Sequence, residues 1–147
     1  MKNFFYIFLL ACLFTGWTAS FPEAKSTDEI SKERSAVMKK IDHALNDISQ
    51  RVGGLFPFKK DKIREDAEIL KKGLTALYTL FPKGSATTAT LPVIWEEPEK
   101  FKMRIDKNIK RADKLLAETE TADRARVKKL YKSIENACKK CHSRYRK

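Results

Sequence analysis

Four stretches of the chain repeat apolar residues every three or four positions, the period of an α-helix with one buried face. The first carries Ile30, Val37, Ile41, Ala44, Leu45 and Ile48 on one stripe. Ser26 precedes it and Glu29 lies three residues on, the form of a capping box. This helix should run from about Asp28 to Val52 and stop at Gly53-Gly54, where glycine permits a left-handed cap. His43 projects away from the stripe, towards solvent, while Arg34 and Met38 share one edge of it, one turn apart. Leu55-Phe56-Pro57-Phe58 reads as an apolar connection packed over a bundle end.

The second stretch, from about Asp61 to Phe81, sets Ile63, Ala67, Leu70, Leu74, Leu77, Tyr78 and Phe81 on one face. Gly73 is unfavourable inside a helix and marks a close helix contact; Pro82-Lys83-Gly84 ends the element. Ser85 to Trp95 is the one long irregular stretch. Pro98, in a first-turn position after Glu96-Glu97, starts a third helix that runs to about Glu118. Its inner face is Phe101, Ile105, Ala112, Leu115 and Leu116, with Met103 outward. Thr121 and Asp123 open the fourth. Taking about 100° per residue from Val127, residues Leu130, Tyr131, Ile134, Cys138, Cys141, His142 and Tyr145 lie within about 60° of one direction. Lys128, Lys129, Lys132, Lys139 and Lys140 fall on the other side. Four amphipathic helices with connections this short predict an all-α, antiparallel up-down-up-down four-helix bundle.

The N-terminal residues have a different character. Met1-Lys2-Asn3 supplies a positive start, Phe4 to Phe14 an apolar run too short to span a bilayer, and Thr15 to Ser20 a small, polar exit. This is the pattern of a secretory signal peptide over residues 1–20, cleaved after Ser20 or Ala19. Leu9-Leu10-Ala11-Cys12 also resembles a lipoprotein box, which leaves lipid anchoring at Cys12 as the lesser alternative. The remaining domain, 21–147, is 127 residues long. The whole chain has 31 Lys and Arg against 19 Asp and Glu, a formal +12; loss of Lys2 makes it +11. That field suits acidic protein partners or contact with an anionic membrane surface. Export leaves nucleic acid an improbable target, and removal of Cys12 leaves two cysteines, too few for a disulfide scaffold.

Those two cysteines carry the chemistry. Cys138-Lys139-Lys140-Cys141-His142 is the attachment signal of a c-type haem. Two thiols add across the porphyrin vinyl groups, and the adjacent imidazole becomes an axial iron ligand. A zinc site would want four ligands, which His43 cannot complete alone. A thioredoxin-type dithiol belongs to a βαβ context that is missing here. No histidine other than His142 lies on the stripe and no paired carboxylates converge on it, so no catalytic set emerges and the reading is of a non-enzyme.

The chain as a whole resembles the class II cytochromes c, the cytochrome c-prime family, whose bundle has the same up-down-up-down course. The resemblance rests on the haem motif with Tyr145-Arg146 after it, on Phe81-Pro82-Lys83-Gly84-Ser85, on Pro92-Val93-Ile94-Trp95, and on Arg34-x-x-x-Met38. It implies one haem in the bundle core, bound covalently by Cys138 and Cys141, with His142 as proximal ligand. Arg146 matches a basic residue beside the proximal imidazole, and Arg34 one near a haem propionate. Met38 matches the distal position, which is methionine in the low-spin branch and an apolar non-ligand in five-coordinate, gas-binding members. His/Met ligation raises the reduction potential. A methionine can equally be core filler. The expected function is a periplasmic monohaem electron carrier with redox protein partners, possible as a homodimer. The alternatives are a protein that binds nitric oxide or carbon monoxide and a helical module without haem.

Overall fold

The computed structural model describes residues 25–147, so the targeting segment and its cleavage site lie outside the described residues. Helix α1 (Thr27–Gly53) starts at the capping box: the Ser26 amide donates to Glu29 Oε2 at 2.8 Å, and the Glu29 amide donates back to Ser26 Oγ at 3.3 Å. It ends on Gly54 in the left-handed region, φ 92°, which a β-carbon would disfavour. Helix α2 spans Lys60–Ala76, a single turn α3 Val93–Glu96, α4 Pro98–Glu118 with proline at its start, and α5 Arg124–Tyr145. The α5 N-cap is Asp123, whose carboxylate accepts from the Arg126 amide at 2.8 Å.

The four long helices form a ring. α1 packs against α2 and α5, and α4 packs against the same two; among the described residues the backbones of diagonal helices do not approach closely. The stripes meet inside: Ile48, Ile63, Leu70, Leu115, Val127 and Ile134 are almost wholly buried, each contributing about 1.5–3 kcal/mol. Gly73 lets α2 approach α1, since a β-carbon there would lie 2.6 Å from Ile41 Cγ1. One end of the bundle holds the α1–α2 and α4–α5 connections. The other holds the end of α5 and the long 77–97 connection.

Three details depart from the sequence pattern. First, α2 does not continue to Phe81. After Ala76 the amides of Leu77, Tyr78, Thr79 and Leu80 donate three residues back, to Leu74, Thr75, Ala76 and Leu77. This tighter turn, with three residues per turn, aligns Leu74, Leu77 and Leu80, all buried, and swings Tyr78 out to 41 % exposure. Thr75 and Thr79 hydroxyls donate to the carbonyls of Lys71 and Ala76, which favours the change of pitch. Second, the irregular stretch contains α3 and is tied to the chain end. The Leu91 amide donates to Tyr145 O at 3.0 Å, and the Lys147 amide to Ala89 O at 3.2 Å, around a Thr90–Arg146 bridge. Third, the 55–58 connection is not packed over the bundle end: Leu55 is 79 % and Phe56 40 % exposed, and Phe58 alone is half-buried. Met103 and His43 are exposed, as expected.

Candidate functional site

Cys138 and Cys141 occupy the last two turns of α5, on the face that packs inward, and both lie against the core formed by the four helices. They are free thiols. Burial pushes the Cys138 thiol up to about 11, with Cys141 beside it adding to the shift; burial raises Cys141 as well. Arg111 and Arg104, both on α4, pull the other way on Cys138 and Cys141 respectively. Reactive dithiols work through depressed thiol pKa values, so a thioredoxin-like role fits this environment poorly. A zinc site fits no better: among the described residues no three His, Cys, Asp or Glu side chains group together.

His142 stands at the rim of this face, exposed at its outer edge but flanked by enough protein for burial to lower its pKa. Arg146 lowers it further and Asp42 on α1 opposes the shift. At neutral pH the ring is therefore held neutral, the form that binds a metal. Asp42 is one turn beyond Met38 and two beyond Arg34 on the same edge of α1, and α1 and α5 are neighbours in the ring. Met38 is half-buried and packs on the core that also receives the two thiols.

Arg34 is buried, and most of its donors go to a segment far away in the chain. Nε and Nη2 donate to Leu80 O at 3.1 and 2.8 Å, and Nη2 also reaches Ser85 O and Oγ at 3.1 and 3.0 Å. Its guanidinium lies 4.2 Å from the Phe81 ring centroid, the start of a row in which Phe81, Phe101 and Tyr145 meet edge to face, each pair 4.9 Å apart. Nη1 is buried with no hydrogen-bond partner.

A family model described as Cytochrome C' matches residues 29–146. The chain belongs to the cytochrome c′ family. It is 31 % identical over 116 residues to a cytochrome c-556 of Agrobacterium tumefaciens (strain B2A), covering 78 % of this chain and 94 % of the relative. It is also 31 % identical over 137 residues to a cytochrome c-554 of Cereibacter sphaeroides, 84 % of each chain. The solved cytochrome c prime from Alcaligenes xylosoxidans superposes with a TM-score of 0.79 over 85 % of this chain and 99 % of its own, at 22 % identity, which supports the fold. The protein is thus a four-helix c-type cytochrome with covalently attached haem c.

The residues present fit that group. Two adjacent inward thiols are available, a neutral imidazole follows them, and the unpaired buried Arg34 Nη1 would suit an anionic propionate. Sequence periodicity missed Asp42, Arg104 and Arg111 because it tracks apolar positions. The available signal was spacing: Arg104 and Arg111 are seven residues apart and flank the Phe101, Ile105 and Ala112 stripe of α4.

Proposed function

We propose that this cytochrome is an exported, single-haem electron carrier of the low-spin branch, acting in the periplasm and not as an enzyme. Cys138 and Cys141 would hold the haem covalently, His142 would ligate from the proximal side and Met38 from the distal side. The observation that carries this reading is the arrangement along the α1 edge. Met38 packs on the same core as the thiols, and Asp42, one turn on, is close enough to influence His142. When bound, the haem supplies a one-electron centre.

The chain's own residues would do the rest. His142, held neutral, offers a lone pair. Met38 offers a soft thioether that suits ferrous iron. Arg34, Arg104 and Arg111 add positive charge on the core side, which favours the reduced state and so a higher potential. The tie between 89–91 and the end of α5 holds the motif's turn in place through the cycle. Export is supported by the pattern of residues 1–20, and acidic redox partners by the formal charge of the chain.

A second reading is that Met38 only packs and the open iron side takes a gas. The partial exposure of Met38 favours it, and a solved variant of the Alcaligenes xylosoxidans protein carries nitric oxide. Met38→Leu keeps the bulk and removes the sulfur, so it separates the two readings. The electron carrier should be low-spin as isolated and become high-spin in the variant. Its carbon monoxide affinity should rise roughly tenfold or more, because a bound thioether reduces the competent fraction. High-spin spectra in both proteins, with equal carbon monoxide affinity, would replace the carrier with the gas binder.

A further inference from the structure

The connection between α1 and α2 presents the most exposed apolar side chains at the end of the bundle far from the haem motif. Leu55 is 79 % and Phe56 40 % exposed, and Pro57 is exposed too. The loop is nevertheless held in shape. The amides of Leu55 and Phe56 both donate to Gln50 O, at 2.9 and 3.2 Å, and Arg51 Nη1 donates to Pro57 O at 3.2 Å. Cations surround it. The Arg51 guanidinium lies 5.7 Å from the Phe56 ring centroid, and that of Arg124 lies 5.3 Å from Phe58. Lys59 and Arg124 are exposed, and among the described residues Arg51, Lys59, Lys60 and Arg124 form no ion pair. One turn further from the tip Lys62 pairs with Glu65, Arg64 with Glu120 and Arg126 with Glu118, while Lys114, Lys128 and Lys129 are exposed without an ion pair among the described residues.

We infer that the Leu55-Phe56-Pro57-Phe58 loop is a membrane-docking tip. Leu55 and Phe56 enter the headgroup region of an anionic phospholipid bilayer, and Lys59 and Arg124 contact the lipid phosphates. The shape favours a bilayer over a protein. Two side chains at a loop end offer far less area than the roughly 1,200 Å² or more of a specific protein interface. Interfacial anchoring needs only an apolar wedge with cations at headgroup depth. Arg51, Lys59, Lys60 and Arg124, beside the apolar side chains, are complementary in charge to anionic lipid. Arg124 is fourteen residues before Cys138 on α5, so the thiols stand about 20 Å from the tip along the helix axis. The haem end is then turned away from the bilayer, accessible to a redox partner. This inference is independent of the distal ligand.

The test uses the mature, haem-loaded protein with vesicles of phosphatidylcholine alone or mixed with phosphatidylglycerol, with binding read by co-sedimentation. Binding should require the anionic lipid. Leu55→Ser with Phe56→Ser should weaken it roughly tenfold or more, and Lys59→Gln with Arg124→Gln roughly thirtyfold. Both pairs are at the surface, so an unchanged haem spectrum and circular dichroism certify their fold. Phe56→Trp should gain a blue-shifted emission on the anionic vesicles once the Trp95 signal of the wild type is subtracted. Equal binding by the wild type and the Leu55/Phe56 variant would mean generic attraction of a basic protein and would overturn the tip. So would no binding at all, or a self-association that the same variant abolishes.

Discussion

Asp66 is an acid in an unfavourable place. It is 8 % exposed on α2, and burial, together with Asp47 across on α1, pushes its carboxyl up to about 6; Arg51 offsets part of the shift. Its folded-state value lies above the ordinary 3.8, so the folded chain holds this proton more tightly than the unfolded chain does. Stability from Asp66 is therefore full below about pH 4 and is lost as pH rises through about 6, a change of about 1–3 kcal/mol. Asp66→Asn cannot ionise. It should be more stable than the wild type at pH 8, and the advantage should shrink towards pH 4.5, as read from urea midpoints. A constant difference across that range would place the cost in packing. At this scale the sequence was legible where a single residue type has one strong meaning. The spaced cysteines with His142 announced the haem, and Gly73 announced the contact that Ile41 makes. The raised pKa of Asp66 was not legible, because part of it comes from charges on another helix, Asp47 and Arg51 of α1.

Among the elements, boundaries set by local chemistry were readable and those set by distant contacts were not. Ser26 with Glu29 and Asp123 cap their own helices, and Pro98 takes the first position of α4, so α1, α4 and α5 begin where their sequences indicate. The end of α2 depends on a change from 3.6 to about three residues per turn, which reassigns Leu80 to the core and Tyr78 to the surface. Arg34 shows the same division. Its place beside Met38 follows from helical spacing, but its bonds to Leu80 and Ser85 join residues 46 and 51 positions apart. Those bonds clamp the connection after α2 onto α1. Arg34→Met should leave the Leu80 and Ser85 carbonyls short of donors and cost about 2–4 kcal/mol in denaturant unfolding. Cleavage by limited proteolysis should speed up within 82–90. Arg34→Lys should recover little, since one ammonium cannot reproduce a fork stacked on Phe81. Full stability in the lysine variant would reduce Arg34 to a point charge.

For the whole molecule the question is what a formal +12 does. Much of it is spread over exposed helix faces and locally matched, as in Lys132–Glu135, Lys139–Glu135 and Arg144–Glu97. Such exposed pairs contribute little to stability, about 0–1 kcal/mol each. Cations without a carboxylate partner among the described residues occur along the helices, as at Lys107, Lys110 and Lys128, and at both ends. At one end Arg51, Lys59, Lys60 and Arg124 stand around Phe56 and Phe58. Near the haem motif Lys140, Arg146 and Lys147 of the α5 terminus are exposed, and none of these forms an ion pair among the described residues. If this end receives an acidic redox protein, long-range attraction should set the encounter rate. That attraction is screened over about 8 Å at physiological ionic strength. The bimolecular electron-transfer rate with an acidic partner should then fall steeply with added salt. Lys140→Gln with Lys147→Gln should lower the rate at low salt and flatten its salt dependence, with the reduction potential almost unchanged, because both side chains point into solvent. Lys59→Gln with Arg124→Gln, at the other end, should leave that rate alone while weakening vesicle binding. Stopped-flow measurement with both variants therefore assigns each cluster its own partner. Equal loss of rate from both would show that net charge, and not its placement, drives the encounter.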